Sequence, residues 1–292
     1  MHRKENASGR LYVVAVHIGN VEDLSVRAVR ILQTVDRIAC ESVAHTKILL
    51  DKLGIPFNRS MLIVLNDINE SKQSKQILDL VSQGSDVAIV TDSGTPLISD
   101  PGFTVIRRAF KRGQTIVPIP GPSSLTTIAS VCPIPLNTFQ FIGFVRPSGL
   151  EKRKHLMSIA ESTVSSIFFE TAKRIQSTLS TLIELGFGER ELFLGRELTK
   201  IHEELLHGSV DELYSQLNSR TTQLGEFVGV LAKNETVSAR LDSDGLIREL
   251  LPHVKASKVA AIVSRLTPMK REDAYSRTVE LQELLDRTKK VD

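Results

Sequence analysis

Short apolar runs alternate with amphipathic segments of helical period from Leu11 to Val131 of the 292-residue chain. LYVVAV precedes LSVRAVRILQTVD, RIAC precedes HTKILLDKLGI, DVAIVT precedes GFTVIRRAFKRG, and TIVPIP precedes SSLTTIASV. Unbroken runs rich in β-branched residues are typical of strands buried on both faces, and the segments between them are typical of the helices that cover such strands. The pattern therefore predicts an α/β fold built on a mainly parallel sheet.

The same alternation weakens between Pro133 and Gly149 and then resumes, which predicts a second α/β unit. VCPIPLNTF and FVRPSGLEKRK have the composition of a connection, whereas SSIFFE, ELFLG and EFVGVLAK are typical of strands. After Lys233 the pattern is purely helical, in LIRELLPHV, SKVAAIVSRL and REDAYSRTVELQELLDR. We predict a flexible tail (1–10), an N-terminal α/β domain (11–120), a second α/β domain (121–235) and a small C-terminal helical domain (236–292).

Composition narrows the class of protein. With 41% hydrophobic and 24% charged residues the chain is of ordinary globular type, and its net charge of +3 permits contact with a polyanion without requiring it. The two cysteines, Cys40 and Cys132, stand in apolar surroundings, which favours buried thiols in a reducing compartment over a disulfide or a metal site. No stretch has the length of a signal peptide or a membrane span, so we expect a cytoplasmic protein.

Three glycine-bearing turns follow predicted strands of the first unit. TDSGTPLISDPG follows DVAIV, PIPGPSS ends the last strand, and HIGN ends the first. Open α/β sheets bind ligands at the carboxyl ends of their strands, so three turns at one edge predict a cleft, although each turn alone is also compatible with a purely structural role. The G-x-G-x-x-G fingerprint and the Walker P-loop are absent, which argues against nicotinamide dehydrogenases and P-loop nucleotidases.

Six ordered motifs carry a resemblance to a known family: LYVVAVHIGN, ESVAHT, TDSGTPLISDPG, PIPGPSS, FFETAKRI and RELTKIHEELLHG. From about residue 11 to 233 the chain resembles the tetrapyrrole methylase superfamily, and within it the bacterial RsmI-type branch that methylates a cytidine ribose 2′-hydroxyl of 16S rRNA, of the cytidine-1402 type. The resemblance implies two α/β domains with S-adenosylmethionine in the cleft between them, a homodimer, and the 30S subunit as substrate.

The chain departs from that family's pattern at three places. It has Val16-His17 where members commonly have Thr-Pro, Ser42-Val43-Ala44-His45 in place of Asp-Thr-Arg-His, and Thr171-Ala172-Lys173 in place of Ser-Pro-His. The first two departures remove an expected Asp and Arg near the cleft, which leaves the assignment of a general base open. The candidates for that base are Glu41, His45, Asp100 and Glu170.

The motifs also nominate residues for the cofactor. Those in the turns of the first unit are Gly19, Asp92, Gly94, Thr95, Ser123 and Ser124, and those of the second unit are Phe169, Gly195 and Phe227. Two alternatives stay open here, namely that Asp92 only stabilises its own turn and that Phe169 only packs in the core. We expect no metal site, because HEELLH lacks the HExxH order and is better explained as a solvated helix start.

A basic connection is the candidate RNA contact. Arg146, Lys152, Arg153 and Lys154 lie in it with only Glu151 opposing them, which suits phosphate contacts but also a solvated linker. The helical tail has nearly balanced charge, so packing or dimer support is as credible there as RNA contact. Two other functions remain open: methylation of a small tetrapyrrole such as uroporphyrinogen or a precorrin, and a catalytically silent RNA-binding assembly factor.

Overall fold

The computed structural model describes residues 8–220, 224–235, 243–267 and 269–288, with side chains as far as residue 284. Residues 1–7 of the predicted flexible tail lie outside the described residues. The end of that tail differs from the prediction, because the amide of Gly9 donates to the carbonyl of Val81 at 2.8 Å and Arg10 begins the first strand. None of the described helices is both long and apolar enough to cross a membrane.

Five parallel strands form the first sheet, in the order β3-β2-β4-β1-β5. The strands are β1 (Arg10–Val14), β2 (Arg37–Cys40), β3 (Leu62–Val64), β4 (Val87–Val90) and β5 (Thr115–Ile119), and the helices that follow them are α1 (Val26–Thr34), α2 (Val43–Lys52), α3 (Glu70–Ser82), α4 (Phe103–Lys111) and α5 (Ser124–Ser130). The loop after β1 leads to α1 on one face of the sheet, and the loop after β4 leads to α4 on the other face. Because the loops after these two neighbouring strands leave towards opposite faces, a crevice opens between them.

Helices cover both faces of this sheet, as the unbroken apolar runs predicted. Leu32 of α1 and Leu50 of α2 belong to the buried cluster on one face, and Ile77 of α3 and Val105 of α4 belong to the cluster on the other. Burial of large aliphatic side chains at about 25 cal/mol per Å² is the main stabilising contribution to such a sandwich. The predicted α/β class with a parallel sheet is confirmed.

The second sheet is mixed, in the order β6-β7-β10-β8-β9. Its strands are β6 (Phe139–Phe144), β7 (Ser165–Thr171), β8 (Glu191–Arg196), β9 (Glu204–Ser209) and β10 (Glu226–Leu231), and its helices are α6 (Gly149–Ala160), α7 (Ala172–Glu184) and α8 (Val210–Asn218). The three helices cover one face. The other face packs against Ile18, from the loop after β1, and Ile128 of α5, so it fronts the turns of the first sheet.

Three helices complete the chain, as predicted: α9 (Ser243–Leu250), α10 (Ala256–Leu266) and α11 (Arg271–Thr288). They pack on a small core of their own that includes Ile247, Val259 and Leu281. The first sheet ends at Ile119 and the second begins at Phe139. The domain boundaries within these connections stay predictions.

Three elements differ from the sequence prediction. Strand β6 and helix α6 occupy the stretch predicted as a connection, and β9 occupies the HEELLH stretch predicted as a helix start. Prolines flank β6, and the strand bulges at Gly143, which has a φ of 71°. Both features interrupt the residue pattern by which a strand is predicted from sequence. The period of α6 was hidden because its buried face includes a lysine, Lys152, beside Leu156 and Ile159.

Candidate active site

A cleft of about 870 Å³ lies between the carboxyl ends of the strands in the first sheet and several strand ends and loops of the second sheet. Its first wall comes from the loops after β1, β4 and β5, and its second wall from strand ends and loops of the second sheet. Its lining includes Ile18, Gly94, Thr95, Ser99, Asp100, Ser123, Ser124, Phe144, Phe169, Glu170, Glu197, Lys200, Glu226 and Phe227.

The three predicted turns are tied to one another at this edge. The amide of Val16 donates to the carbonyl of Gly94 at 2.9 Å, and the amide of Gly94 donates to the carbonyl of His17 at 3.1 Å. The hydroxyl of Thr95 donates to the carbonyl of Pro122 at 2.9 Å. Gly94 has a φ of +75° and Ile18 lies close to it, so a side chain there would be strained. The turns thus form one rigid wall, as their shared position at the sheet edge predicted.

Asp100 is the carboxyl group of the cleft whose titration is most displaced. Burial, followed by repulsion from Glu41 and Asp92, raises its pKa to about 7, against an ordinary value of 3.8. Burial and the charge of Asp92 also raise the pKa of Glu41, at the end of β2. A carboxyl group that titrates near neutrality can exchange a proton or become ionised when a cation binds beside it.

Glu170 lines the cleft but its oxygens are already engaged. The residue is 1% exposed, and its carboxylate accepts from the hydroxyl of Thr178 at 2.7 Å and from the amide of Thr171 at 2.8 Å. Arg174 forms an ion pair with the same group at 2.8 Å. A carboxylate held this way is suited to fixing the end of β7 more than to accepting a substrate proton.

Aromatic rings form the apolar part of the second wall. Phe169 stands edge-to-face between Phe141 and Phe144, with ring centroids 4.9 and 5.5 Å apart. Phe227 is buried and also reaches the cleft. Gly195, the third residue nominated in this unit, lies behind the wall: a Cβ there would be 2.6 Å from Cδ1 of Ile128, so its glycine serves packing.

A second cavity of about 820 Å³ adjoins the cleft, and we call it the histidine pocket. It is lined by His17, Gly19, His45, Ile48, Leu49, Lys52 and Asp92, and it shares Ile18, Ser93, Lys200 and Glu226 with the cleft. Two residues nominated for the cofactor, Gly19 and Asp92, therefore lie here instead of in the cleft. Glu41 lines neither cavity.

The imidazole of His45 is paired with Asp92 in the histidine pocket. Nδ1 of His45 lies 2.6 Å from Oδ2 of Asp92, and Oδ1 of Asp92 accepts from the amide of Ser42 at 3.0 Å. Ser42 also caps helix α2 through its hydroxyl. Opposite this pair, burial and then the charge of Lys52 lower the pKa of His17.

An ion-pair cluster that was not among the predicted site residues borders both cavities. Nζ of Lys200 lies 2.9 Å from Oε1 of Glu197 and 3.1 Å from Oε2 of Glu226. Burial opposes ionisation of Glu197, but hydrogen bonds from Lys200 and from the amide of Glu226 outweigh it and lower its pKa. The available signal was the spacing in RELTK, where a Glu and a Lys stand three residues apart.

The basic residues predicted to contact RNA belong to helix α6 and the turn before it, instead of a mobile loop. Arg146, Arg153 and Lys154 are exposed, and the last two pair with Glu184 and Glu151. Lys152 is 4% exposed, and its Nζ donates to the hydroxyl of Ser177 at 3.0 Å. Lys152 is therefore placed in the core of the second unit.

The acidic residues around His202 have other partners. Glu203 accepts from the amide of Thr199 at 2.6 Å, and Glu204 pairs with Arg220 at 2.5 Å. Within the part of the chain that the structure describes, no group of three or more His, Cys, Asp or Glu side chains is arranged to hold a metal ion.

Comparison with known proteins places this geometry in context. The model of the family described as Tetrapyrrole (Corrin/Porphyrin) Methylases matches residues 10–214. A Thermotoga maritima protein named Ribosomal RNA small subunit methyltransferase I is 38% identical over 227 residues, which are 78% of this chain and 100% of that protein. A protein of the same name from Escherichia coli O157:H7 is 31% identical over 281 residues, 95% of this chain and 97% of that protein.

Solved structures share the fold at lower identity. A uroporphyrin-III-C-methyltransferase from Thermus thermophilus has a TM-score of 0.54 and 18% identity, over 76% of this chain and 94% of that one. A diphthine synthase has a TM-score of 0.56 and 13% identity, over 77% of this chain and 90% of that one. At these identities the likeness establishes the fold alone.

Proposed function

The chain belongs to the tetrapyrrole (corrin/porphyrin) methylase family, and from that membership we propose that it transfers a methyl group from S-adenosylmethionine to the 16S rRNA of the small ribosomal subunit. The observation that carries the proposal is the 31% identity to a small-subunit rRNA methyltransferase over 95% of the chain, including the helical tail. The position we propose is the ribose 2′-hydroxyl of a cytidine, of the cytidine-1402 type.

The cleft has the lining that this cofactor needs. The rings of Phe144, Phe169 and Phe227 supply an apolar wall for an adenine, and the hydroxyls of Ser123 and Ser124 are available to its polar groups. When bound, S-adenosylmethionine supplies the methyl group on a sulfonium cation.

The charge of that cation suits the carboxyl groups of the cleft. Asp100 titrates near neutrality and is not committed to an ion pair, whereas Glu170 is held by Arg174 and Glu197 by Lys200. We assign Asp100 to the cationic part of the cofactor, because a neighbouring positive charge favours the ionised form of a carboxyl group.

Positioning contributes more than proton removal to a reaction of this kind. Holding two reactants in line supplies about 7–11 kcal/mol, whereas a general base contributes a factor of about 10²–10⁴. The rigid wall made by the three tied turns is the part of the chain that provides such positioning.

The RNA contact is assigned to the exposed basic residues of the second unit. Arg146, Arg153 and Lys154 lie at or near the start of α6 and are accessible to phosphates. Phosphate contacts fix the orientation of an RNA without reading its sequence, so recognition of the target rests on the folded shape of the subunit. A homodimer and a cytoplasmic location belong to the same proposal.

The testing experiment is transfer of tritiated methyl from S-adenosylmethionine to 30S subunits that lack the modification. Naked 16S rRNA and uroporphyrinogen serve as parallel acceptors, and nuclease mapping locates the labelled nucleotide. Label on one cytidine ribose of the subunit supports the proposal. Label on uroporphyrinogen alone would reassign the chain to tetrapyrroles, and cofactor binding without transfer to any acceptor would reassign it as a silent assembly factor.

A further inference from the structure

The histidine pocket is not accounted for by a cofactor in the cleft. It adjoins the cleft through four shared residues, Ile18, Ser93, Lys200 and Glu226. A molecule in the pocket would therefore face a methyl donor held in the cleft, beside the Lys200 ion-pair cluster. An acceptor of the methyl group can therefore approach the donor from the histidine pocket.

The lining of the pocket matches a nucleotide. Lys52 supplies positive charge for a phosphate, and Ile48 and Leu49 supply an apolar surface for a base or ribose. Nδ1 of His17 is buried and has no hydrogen-bond partner among the described residues, so it can still bond a hydroxyl. No other cavity described above combines these groups.

Nε2 of His45, which lines this pocket, has no hydrogen-bond partner among the described residues. Because a carboxylate only accepts hydrogen bonds, its pairing with Asp92 at 2.6 Å places the proton of the neutral imidazole on Nδ1. Nε2 then carries the lone pair. The Asp92 carboxylate is itself held by the amide of Ser42, so the ring orientation is fixed by the start of helix α2.

The other candidates for a general base are less well placed. Glu170 is buried and paired with Arg174, and Glu41 lines neither cavity. Asp100 lies in the cleft, on the side assigned above to the cofactor's positive charge. The side chain of His45 is 62% exposed, and His45 is the only one of the four candidates that lines the histidine pocket.

We propose, building on the function proposed above, that the histidine pocket receives the acceptor nucleotide and that His45 is the catalytic base, with Asp92 as its positioning residue. As the ribose 2′-oxygen forms its bond to the methyl carbon, its proton moves to Nε2 of His45. The bond from sulfur to that carbon breaks and its electron pair stays on sulfur, leaving a neutral thioether. The imidazolium afterwards returns its proton to water.

Charged groups from several elements lie around His45. Asp92 follows β4, Glu41 follows β2, and both bring negative charge towards the ring. Lys52 lies on α2 itself, and Lys200 and Glu226 come from the second sheet. His17, in the loop after β1, is the remaining titratable neighbour, and burial lowers its pKa.

The test compares His45→Gln with His207→Gln in single-turnover transfer to 30S subunits at saturating cofactor. His207 is the control, because Nε2 of this histidine on β9 lies 2.9 Å from a carboxylate oxygen of Glu191 on β8, in a pair that lines neither the cleft nor the histidine pocket. We expect His45→Gln to lower the rate by about 10²–10⁴ while cofactor affinity, measured by calorimetry, stays within about twofold. His207→Gln should match the parent in both.

Two further measurements separate the possible outcomes. The rate of the parent should rise with pH at unit slope to a plateau, and this limb should vanish in His45→Gln. In ¹⁵N imidazole spectra of the free protein, His45 should be protonated on Nδ1, and Asp92→Asn should reduce that tautomer.

A parent-like rate or an unchanged pH limb in His45→Gln would assign the base elsewhere. Absence of transfer by the parent itself would instead overturn the proposed function and this role with it.

Discussion

Gly19 and Lys200 meet across the two sheets: a Cβ on residue 19 would lie 2.3 Å from Cγ of Lys200. Gly19 follows β1, and Lys200 belongs to the loop between β8 and β9. The same loops are joined where the amide of Asn20 donates to the hydroxyl of Thr199 at 3.3 Å. The absence of a side chain at residue 19 thus leaves room for the Lys200 ion-pair cluster, which borders both cavities.

Gly19→Ala should disturb both cavities through this contact. The new methyl group displaces the stem of Lys200 and with it the pairing to Glu197 and Glu226. We expect affinity for S-adenosylhomocysteine to fall about tenfold, equivalent to about 1.4 kcal/mol, as measured by calorimetry. In the double variant with Lys200→Ala the nearest clash partner is gone and only the hydroxyl of Thr199, 3.1 Å from the new Cβ, stays close, so the loss should little exceed that of Lys200→Ala alone. Additive losses would mean that Gly19 acts in another way.

Phe144→Ala should weaken cofactor binding, and Phe139→Ala should not. Both rings lie on β6 and have similar exposure, 49% and 41%, but only Phe144 lines the cleft. Loss of one aromatic contact is worth about 1 kcal/mol, or roughly fivefold in affinity. Equilibrium dialysis with labelled cofactor measures the difference. Equal affinities in the two variants would remove the aromatic wall from the cofactor site.

Strands such as RIAC and DVAIV are buried on both faces, so they appear in the sequence as unbroken apolar runs. Most of this fold could be predicted from such runs. They missed β6 and α6, where Gly143 and the buried Lys152 break the expected periods. The turns that form the first wall followed from their common position after strands. The pairing of His45 with Asp92 did not, since it depends on which strands are neighbours in the sheet.

Glu170→Ala should primarily destabilise the protein. The variant leaves Arg174 without its carboxylate and the hydroxyl of Thr178 without its acceptor. We expect the free energy of unfolding to fall by about 3 kcal/mol, and that of Thr178→Val by about 1–2 kcal/mol, in urea titrations. Transfer by the folded fraction of either variant should stay near that of the parent. A fully stable but inactive Glu170→Gln would return Glu170 to the candidates for the base.

Replacing Arg146, Arg153 and Lys154 together by Ala should reduce the salt dependence of RNA binding. Each lost phosphate contact lowers the slope of log affinity against log salt by about 0.7–0.9, so a total change of about 2–3 is expected. Lys152→Gln is the control in the same helix, because that side chain is buried against Ser177. Filter binding to 30S subunits at several salt concentrations measures the slopes. Equal slopes in the parent and the triple variant would place the RNA contact elsewhere.

Asp100 should make stability depend on pH. Its folded pKa of about 7 lies above the ordinary value of 3.8, so its protonated form contributes stability that is fully present below the lower value and is lost as pH rises through 7. Asp100→Asn carries no such dependence. Relative to the parent, it should therefore gain about 1 kcal/mol between pH 5 and pH 8, a value reduced for partial exposure. Urea titrations across this range should show the two curves diverging, and parallel curves would contradict the displaced pKa.

Cofactor binding should also release a proton from Asp100. At pH 7 a group with a pKa of about 7 is half ionised, and a sulfonium cation beside it favours the fully ionised form. Binding of S-adenosylmethionine at this pH should then release about half a proton, seen as a dependence of the calorimetric enthalpy on the ionisation enthalpy of the buffer. S-adenosylhomocysteine, which lacks the sulfonium charge, should release less, and Asp100→Asn should release none with either ligand. Equal release by the parent and Asp100→Asn would place the cation away from this carboxyl group, because no other change in the variant alters the charge of the cleft.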